Sequence, residues 1–174
     1  MARYLLVAHQ TAERSELLEA AKELAAKDGH ARFTLLVPAT PVGDLLTWEE
    51  GETKELARER ARSAAAALRK NGIELAGVRV GDADPVLAVG DEYLAGRRYD
   101  AIVISTLPPG LSRWIKMDAV SRLRRTHPRV RVVHVVAKEF RPQVDVQSAR
   151  APDVGANRTT MNRPMAGGGS SGQH

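Results

Sequence analysis

Cysteine is absent from the 174-residue chain, which excludes disulfides, thiolate nucleophiles and Cys-ligated metals. Aromatic residues make up only 4% of it, so the core must be aliphatic, built from Leu, Val, Ile and abundant Ala. No apolar run approaches the roughly 18–20 residues that cross a bilayer. The first run, Tyr4–Ala8, is also too short for the apolar region of a signal sequence. A cytoplasmic protein without membrane contact is expected. Within residues 1–140 there is no G-x-x-x-x-G-K-[ST], no G-x-G-x-x-G and no G-x-S-x-G, so none of the usual phosphate-loop, dinucleotide or serine-hydrolase signatures applies. The five histidines are scattered, with no partner at metal-ligand spacing, and no metal site is expected.

Charge is what the chain has in excess. The formal net charge is +5 and the isoelectric point about 9.9. Residues 141–174 hold Arg141, Arg150, Arg158 and Arg163 against Asp145 and Asp153. The remaining surplus is spread thinly over the first 140 residues, which argues for no nucleic-acid partner by itself. The densest basic run, Arg122 to Arg131, lacks interleaved aromatics that would stack on bases. Cations at a helix carboxyl end complement its dipole, which accounts for most of that run.

Apolar periodicity alternates between strand and helix almost from the first residue. Tyr4 to Ala8 is a short continuous run, as in a strand covered on both faces. Leu17, Leu18, Ala21, Leu24 and Ala25 recur at helical spacing and run out at Asp28-Gly29. Phe33 to Val37 is a second strand, stopped by Pro38, and Ala39 to Trp48 reads as a loop. A long helix follows from about Glu50, with Ala57, Ala61, Ala64, Ala65 and Leu68 on one face, to Asn71-Gly72. Leu75 to Val80 alternates weakly, which suits a sheet edge.

Asp84-Pro85 starts the next helix, Asp capping free amides and Pro at the first position, where no hydrogen bond is lost. That helix ends at Gly96. Asp100 to Ile104 is the fourth strand and the most apolar, Ser112 caps a single helix ending before Pro128, and Val130 to Val136 is the fifth strand. The order βαβαβαβαβ, with room for a crossover helix in each connection, defines an α/β three-layer sandwich on a parallel sheet. After Phe140 there is no Leu, Ile or aromatic, and the chain finishes in Gly167-Gly168-Gly169-Ser170-Ser171-Gly172. Residues 1–140 therefore read as one domain and 141–174 as a disordered tail.

Ligands of open parallel sheets bind beyond the carboxyl ends of the strands. Those ends carry His9-Gln10-Thr11 after the first strand, Val37-Pro38 with Ala39-Thr40 at the second, Gly81-Asp82 after the third, and Ser105-Thr106-Leu107-Pro108-Pro109-Gly110 after the fourth. The helix after the fourth strand brings Arg113 and Lys116 near its start, which favours a small anion. Trp48 lies beside the loop after the second strand, and Trp114 in the first turn of the fourth helix reads as core.

Val7-Ala8-His9-Gln10-Thr11-Ala12-Glu13-Arg14-Ser15 resembles the first strand and turn of the universal stress proteins. Gly81-Asp82-Ala83-Asp84-Pro85, leading on to Tyr99-Asp100-Ala101-Ile102-Val103-Ile104, is similar to their third-strand, helix and fourth-strand region. The likeness spans about residues 3–137. It implies a five-stranded parallel sheet of order 3-2-1-4-5, a homodimer made through the fifth strands, and a regulatory role in stress.

ATP-binding members carry G-x2-G-x9-G-[ST] after the fourth strand. In this chain those positions are Ser105, Pro108, Asp118 and Ala119, and all four depart from the motif. The acidic residue such members use after the first strand is Gln10 here. Pro108 removes a backbone amide, Asp118 sets a negative charge where a phosphate would rest, and Ala119 has no hydroxyl. The resemblance thus implies a non-catalytic binding protein that has lost ordinary Mg-ATP binding, with no certain cofactor. A small anionic or nucleotide-like ligand such as AMP is the expectation. Two alternatives stand beside it: a nucleotide-hydrolysing enzyme of the same fold group, and a basic nucleic-acid-associated protein.

Overall fold

The computed structural model describes residues 1–41 and 50–138, all within the first of two compact units, Met1–Arg141. Trp48 and the expected tail lie outside the described residues. The elements are β1 (Arg3–Val7), α1 (Ser15–Lys27), β2 (Arg32–Pro38), α2 (Glu50–Lys70), β3 (Leu75–Gly81), α3 (Pro85–Leu94), β4 (Ala101–Thr106), α4 (Arg113–Lys116), α5 (Ala119–Thr126) and β5 (Arg131–Val136). Every strand pair is parallel, and the sheet order is β3-β2-β1-β4-β5, as the resemblance implied.

Alternation along the strands sorts the core into two layers. Leu6, Leu35 and Val103 face one side, against Leu17 and Ala21 of α1 and Ala57, Ala61 and Ala64 of α2. Leu5, Val7, Leu36, Ile102 and Ile104 face the other, against Val86 and Val89 of α3 and Leu123 of α5. Each fully buried Leu or Ile contributes about 1.5–3 kcal/mol. Aromatics are scarce, and Phe33 is the fully buried ring beneath α1 and α2, stacking on Tyr4 at a centroid distance of 5.2 Å.

Helix α3 sits unusually close to β3. A Cβ on Gly81 would fall 2.7 Å from Cβ of Ala88, a separation only glycine permits. The expected start of α3 is found: Oδ1 of Asp84 accepts from the Val86 amide at 2.8 Å, with Pro85 as the first helical residue. Oδ2 of Asp84 meets Arg122 at 2.9 Å, tying α3 to α5. At the far end of α3 the buried Glu92 accepts from the Tyr99 hydroxyl at 2.6 Å and pairs with Arg79 of β3 and with Arg97.

Two local expectations are corrected. Strand β4 continues past Ile104 through Ser105 and Thr106, because both remain in register with Val135 and Val136 of β5. The helix expected over residues 112 to 127 is two helices. Asp118 adopts a left-handed conformation, φ 53° and ψ 33°, between α4 and α5. Aspartate tolerates that conformation better than most residues with a Cβ, so no Gly or Pro announces the break.

Candidate functional site

Strand β1 leads into α1 on one face of the sheet, whereas β4 leads into α4 and α5 on the other. Their carboxyl ends therefore diverge, and a cavity of about 240 Å³ opens between them. Its walls come from the β1 end (His9, Gln10, Thr11), the segment after β2 (Thr40, Pro41), the β4 end (Ser105, Thr106, Leu107) and the turn into α4 (Leu111, Ser112, Arg113, Trp114). Five of these residues bear hydroxyls, and none is a carboxylate.

His9 is only 5% exposed. Its Nδ1 lies 3.4 Å from Nη1 of Arg60 on α2. A guanidinium has donors only, so Nδ1 is the acceptor and the proton sits on Nε2. Burial, followed by the Arg60 charge, lowers the ring's pKa to about 3, so His9 is neutral at physiological pH. Burial also lowers the Arg60 pKa. Two buried side-chain atoms at this end of the sheet, His9 Nε2 and Ser105 Oγ, have no hydrogen-bond partner among the described residues. Each such orphan costs on the order of 1–3 kcal/mol.

The surrounding frame is well satisfied. Thr11 Oγ1 donates to the Ser105 carbonyl at 3.0 Å, joining the β1 and β4 ends. Trp114 Nε1 donates to Thr40 Oγ1 at 3.1 Å, and Thr40 Oγ1 donates to the Ala83 carbonyl at 2.7 Å. Ser112 Oγ accepts from the Ile115 amide and caps α4. Thr106 Oγ1 and His134 Nε2 are 2.8 Å apart, and burial lowers the His134 pKa, with Arg124 adding to the effect.

Of the residues singled out from sequence, His9, Gln10, Ser105, Thr106 and Arg113 line this one cavity. Val37 is fully buried in the layer beneath α1 and α2, and Pro38 closes β2 opposite Gly81. The Pro108 carbonyl accepts from the Leu111 and Ser112 amides, shaping the turn behind the cavity. Lys116 is exposed on α4. The Asp118 side chain is 57% exposed and pairs with Arg125 at 3.5 Å, and Ala119 is fully buried against the sheet. Thr11 and Thr40 follow strand ends that the sequence already pointed to, Ser112 was expected only as a helix cap, and Arg60 was missed. The first three carried a signal, hydroxyls within four residues of a strand end or a helix start. Arg60 carried none, because its approach to His9 depends on how α2 crosses the sheet.

Among the described residues no group of three or more His, Asp or Glu is arranged to hold a metal ion, and no helix is long and apolar enough to cross a membrane. The fold and the cavity together define a parallel α/β protein with a cavity at the topological switch point of its sheet.

No family model and no curated protein matches the chain. Solved structures do. A protein of the universal stress protein family from Burkholderia pseudomallei superposes with a TM-score of 0.52 at 22% identity, covering 76% of this chain and 94% of that one. A universal stress protein from Archaeoglobus fulgidus gives 0.51 at 16% identity, covering 78% and 93%. The chain has the universal stress protein fold.

Proposed function

We propose that this chain is a divergent, non-catalytic member of the universal stress protein family. In this reading it acts in the cytoplasm as a regulatory protein, responding to a small anionic or nucleotide-like molecule held in the cavity between the β1 and β4 ends. The observation that carries the reading is the pair of buried, unpartnered polar atoms there, His9 Nε2 and Ser105 Oγ. A ligand oxygen beside them would relieve both, and Arg113 at the rim would complement a negative charge.

The size of the cavity limits the ligand. At about 240 Å³ it falls below the roughly 300–1,000 Å³ of pockets that enclose drug-sized molecules. Inorganic phosphate or a nucleoside monophosphate such as AMP suits it better than Mg-ATP. The non-catalytic part of the reading is supported by the donor set: Nδ1 of His9 faces a guanidinium, Nε2 holds the proton, and no carboxylate lines the walls among the described residues.

A homodimer through β5 accompanies this proposal. Among the described residues that strand is a sheet edge, paired with β4 alone, and an edge strand is a template for pairing with a second copy. Native mass spectrometry reports both retained ligand and subunit count. Calorimetry with phosphate, AMP, cyclic nucleotides and Mg-ATP then ranks the ligands. Binding of phosphate or AMP that weakens at least tenfold in Ser105→Ala is expected. Repeated turnover of a nucleotide, abolished in His9→Ala, would replace this reading with that of an enzyme.

A further inference from the structure

The edge of the sheet opposite the cavity is a basic plate. In a parallel α/β fold every helix returns to the amino ends of the strands, so the helix carboxyl ends and the starts of β1 to β5 meet on one side. The connection from α1 to β2 brings Lys27 and Arg32, and that from α2 to β3 brings Arg69 and Lys70. Arg98 precedes β4, Arg129 and Arg131 begin β5, and Arg3 begins β1. All eight are exposed. Three carboxylates share the edge, and each is engaged: Asp28 with the Ala2 amide and the terminal amine, Glu74 with Arg32, and Asp100 with the Arg3 amide. Among the described residues, Arg32 is the one member of the eight with a carboxylate within 4.0 Å.

Helix dipoles explain only part of this. Lys27, Arg69 and Lys70 lie in last helical turns, where a cation is worth about 0.3–1 kcal/mol. Arg98 donates to the Tyr93 carbonyl in the last turn of α3 at 3.1 Å, whereas Arg3, Arg32, Arg129 and Arg131 lie in connections or at strand starts, beyond that benefit. The surplus of five at the edge exceeds the +3 carried by residues 1–140, so the rest of the domain is net acidic. The cations are segregated by the topology.

We infer that this edge docks on the phosphate backbone of duplex nucleic acid. Neighbouring strands lie about 4.8 Å apart, so the row of five strand starts runs roughly 20 Å. That is enough to span a minor groove about 6 Å wide and meet both backbones. Six of the eight cations are arginines, whose planar forks match phosphate oxygens. The connections forming the edge hold no Phe or Trp, and their one Tyr, Tyr99, is buried, so they offer no Phe, Tyr or Trp face to unpaired bases or to a lipid interface. A duplex, with one charge per roughly 1.7 Å, offers the density that such a surface needs. Because the plate faces away from the cavity, this inference does not depend on the ligand proposed above.

The test uses the full chain and a random-sequence 30-base-pair duplex, followed by fluorescence anisotropy at about 50 and 200 mM salt. The intact protein binds, and its affinity falls steeply with salt. A plate variant (Lys27→Gln, Arg69→Gln, Lys70→Gln, Arg129→Gln), checked for an unchanged melting temperature, binds at least tenfold more weakly. Its salt slope is shallower by up to ~0.9 for each phosphate that it no longer neutralises. A tail variant (Arg141→Gln, Arg150→Gln, Arg158→Gln, Arg163→Gln) binds within twofold of the intact protein. The salt slope of the intact protein tests the idea even if the plate variant misfolds. No binding at 50 mM salt overturns the inference, as does weakening confined to the tail variant. Tighter capture by phosphatidylserine vesicles than by the duplex overturns it too.

Discussion

The indole of Trp114 donates to the hydroxyl of Thr40 across 74 residues of sequence, at 3.1 Å. Thr40 passes the connection on, donating in turn to the Ala83 carbonyl at 2.7 Å. One hydroxyl thus links the start of α4 to the segments after β2 and β3, and it holds the far wall of the cavity in place.

Replacing that hydroxyl by a methyl strands a buried indole N–H. Thr40→Val is expected to cost about 1–3 kcal/mol, the penalty for an orphaned buried donor, whereas Thr40→Ser, which keeps both hydrogen bonds, costs under about 1 kcal/mol. Urea unfolding of the two variants checks this. Equal losses would show that the methyl packing of Thr40, and not its hydroxyl, carries the effect.

His9 makes stability depend on pH. Its pKa is about 3 in the folded protein and near 6.5 when unfolded, so between those values the unfolded chain binds the extra proton. Stability is full above about pH 6.5 and falls as the pH drops toward 3, by roughly 1.4 kcal/mol per unit. The lowered carboxylates Glu16 and Asp28 lose their contribution only below about pH 4.5. Between pH 6.5 and 4.5 the stability of the protein should therefore fall by about 2–3 kcal/mol relative to His9→Gln. In that comparison His127 and His134, also lowered by burial, cancel. Parallel curves for the two proteins would contradict the buried, neutral ring.

Asp118 tests what remains of the phosphate loop. Its φ of 53° is the conformation glycine adopts freely, so Asp118→Ala should destabilise by about 1 kcal/mol, with Asp118→Gly recovering most of that loss. Asp118→Gly should not confer Mg-ATP binding, since Ser105, Pro108 and Ala119 still depart from a phosphate cradle. Chemical denaturation and calorimetry on the same samples report both. Tight Mg-ATP binding by the unaltered chain would show that the loop is competent as it stands.

Gly81→Ala probes the close approach of α3 to β3. The added methyl would lie 2.7 Å from Cβ of Ala88 and 3.1 Å from Cδ1 of Leu36, and overpacking of this kind costs about 1–3 kcal/mol. A drop in melting temperature is expected. Ala88→Gly in the same chain should restore part of it, because it removes the nearest obstructing atom.

Most of the architecture was legible in the sequence because period and punctuation agreed. The apolar run Ala101–Ile104, the Asp84-Pro85 start and the Gly72 and Gly96 stops each mark an element locally. The break at Asp118 was not legible, since a left-handed aspartate leaves no compositional trace. At the site, His9, Gln10 and Ser105 were found because topology alone places strand ends beside a slit. Arg60 was invisible for the opposite reason: it reaches His9 from 51 residues away, through the packing of a helix whose alanine stripe fixes its depth. The basic plate was hidden in the same way, its cations scattered through the connections and gathered only by the return of each helix to one side.

The two faces of the sheet exchange helices between β1 and β4, so the gap there is a product of chain routing, independent of the residues at its rim. The framework keeps an opening whatever side chains border it. Changes at Gln10, Ser105 or Arg113 can therefore reshape the rim of the opening while leaving the scaffold untouched.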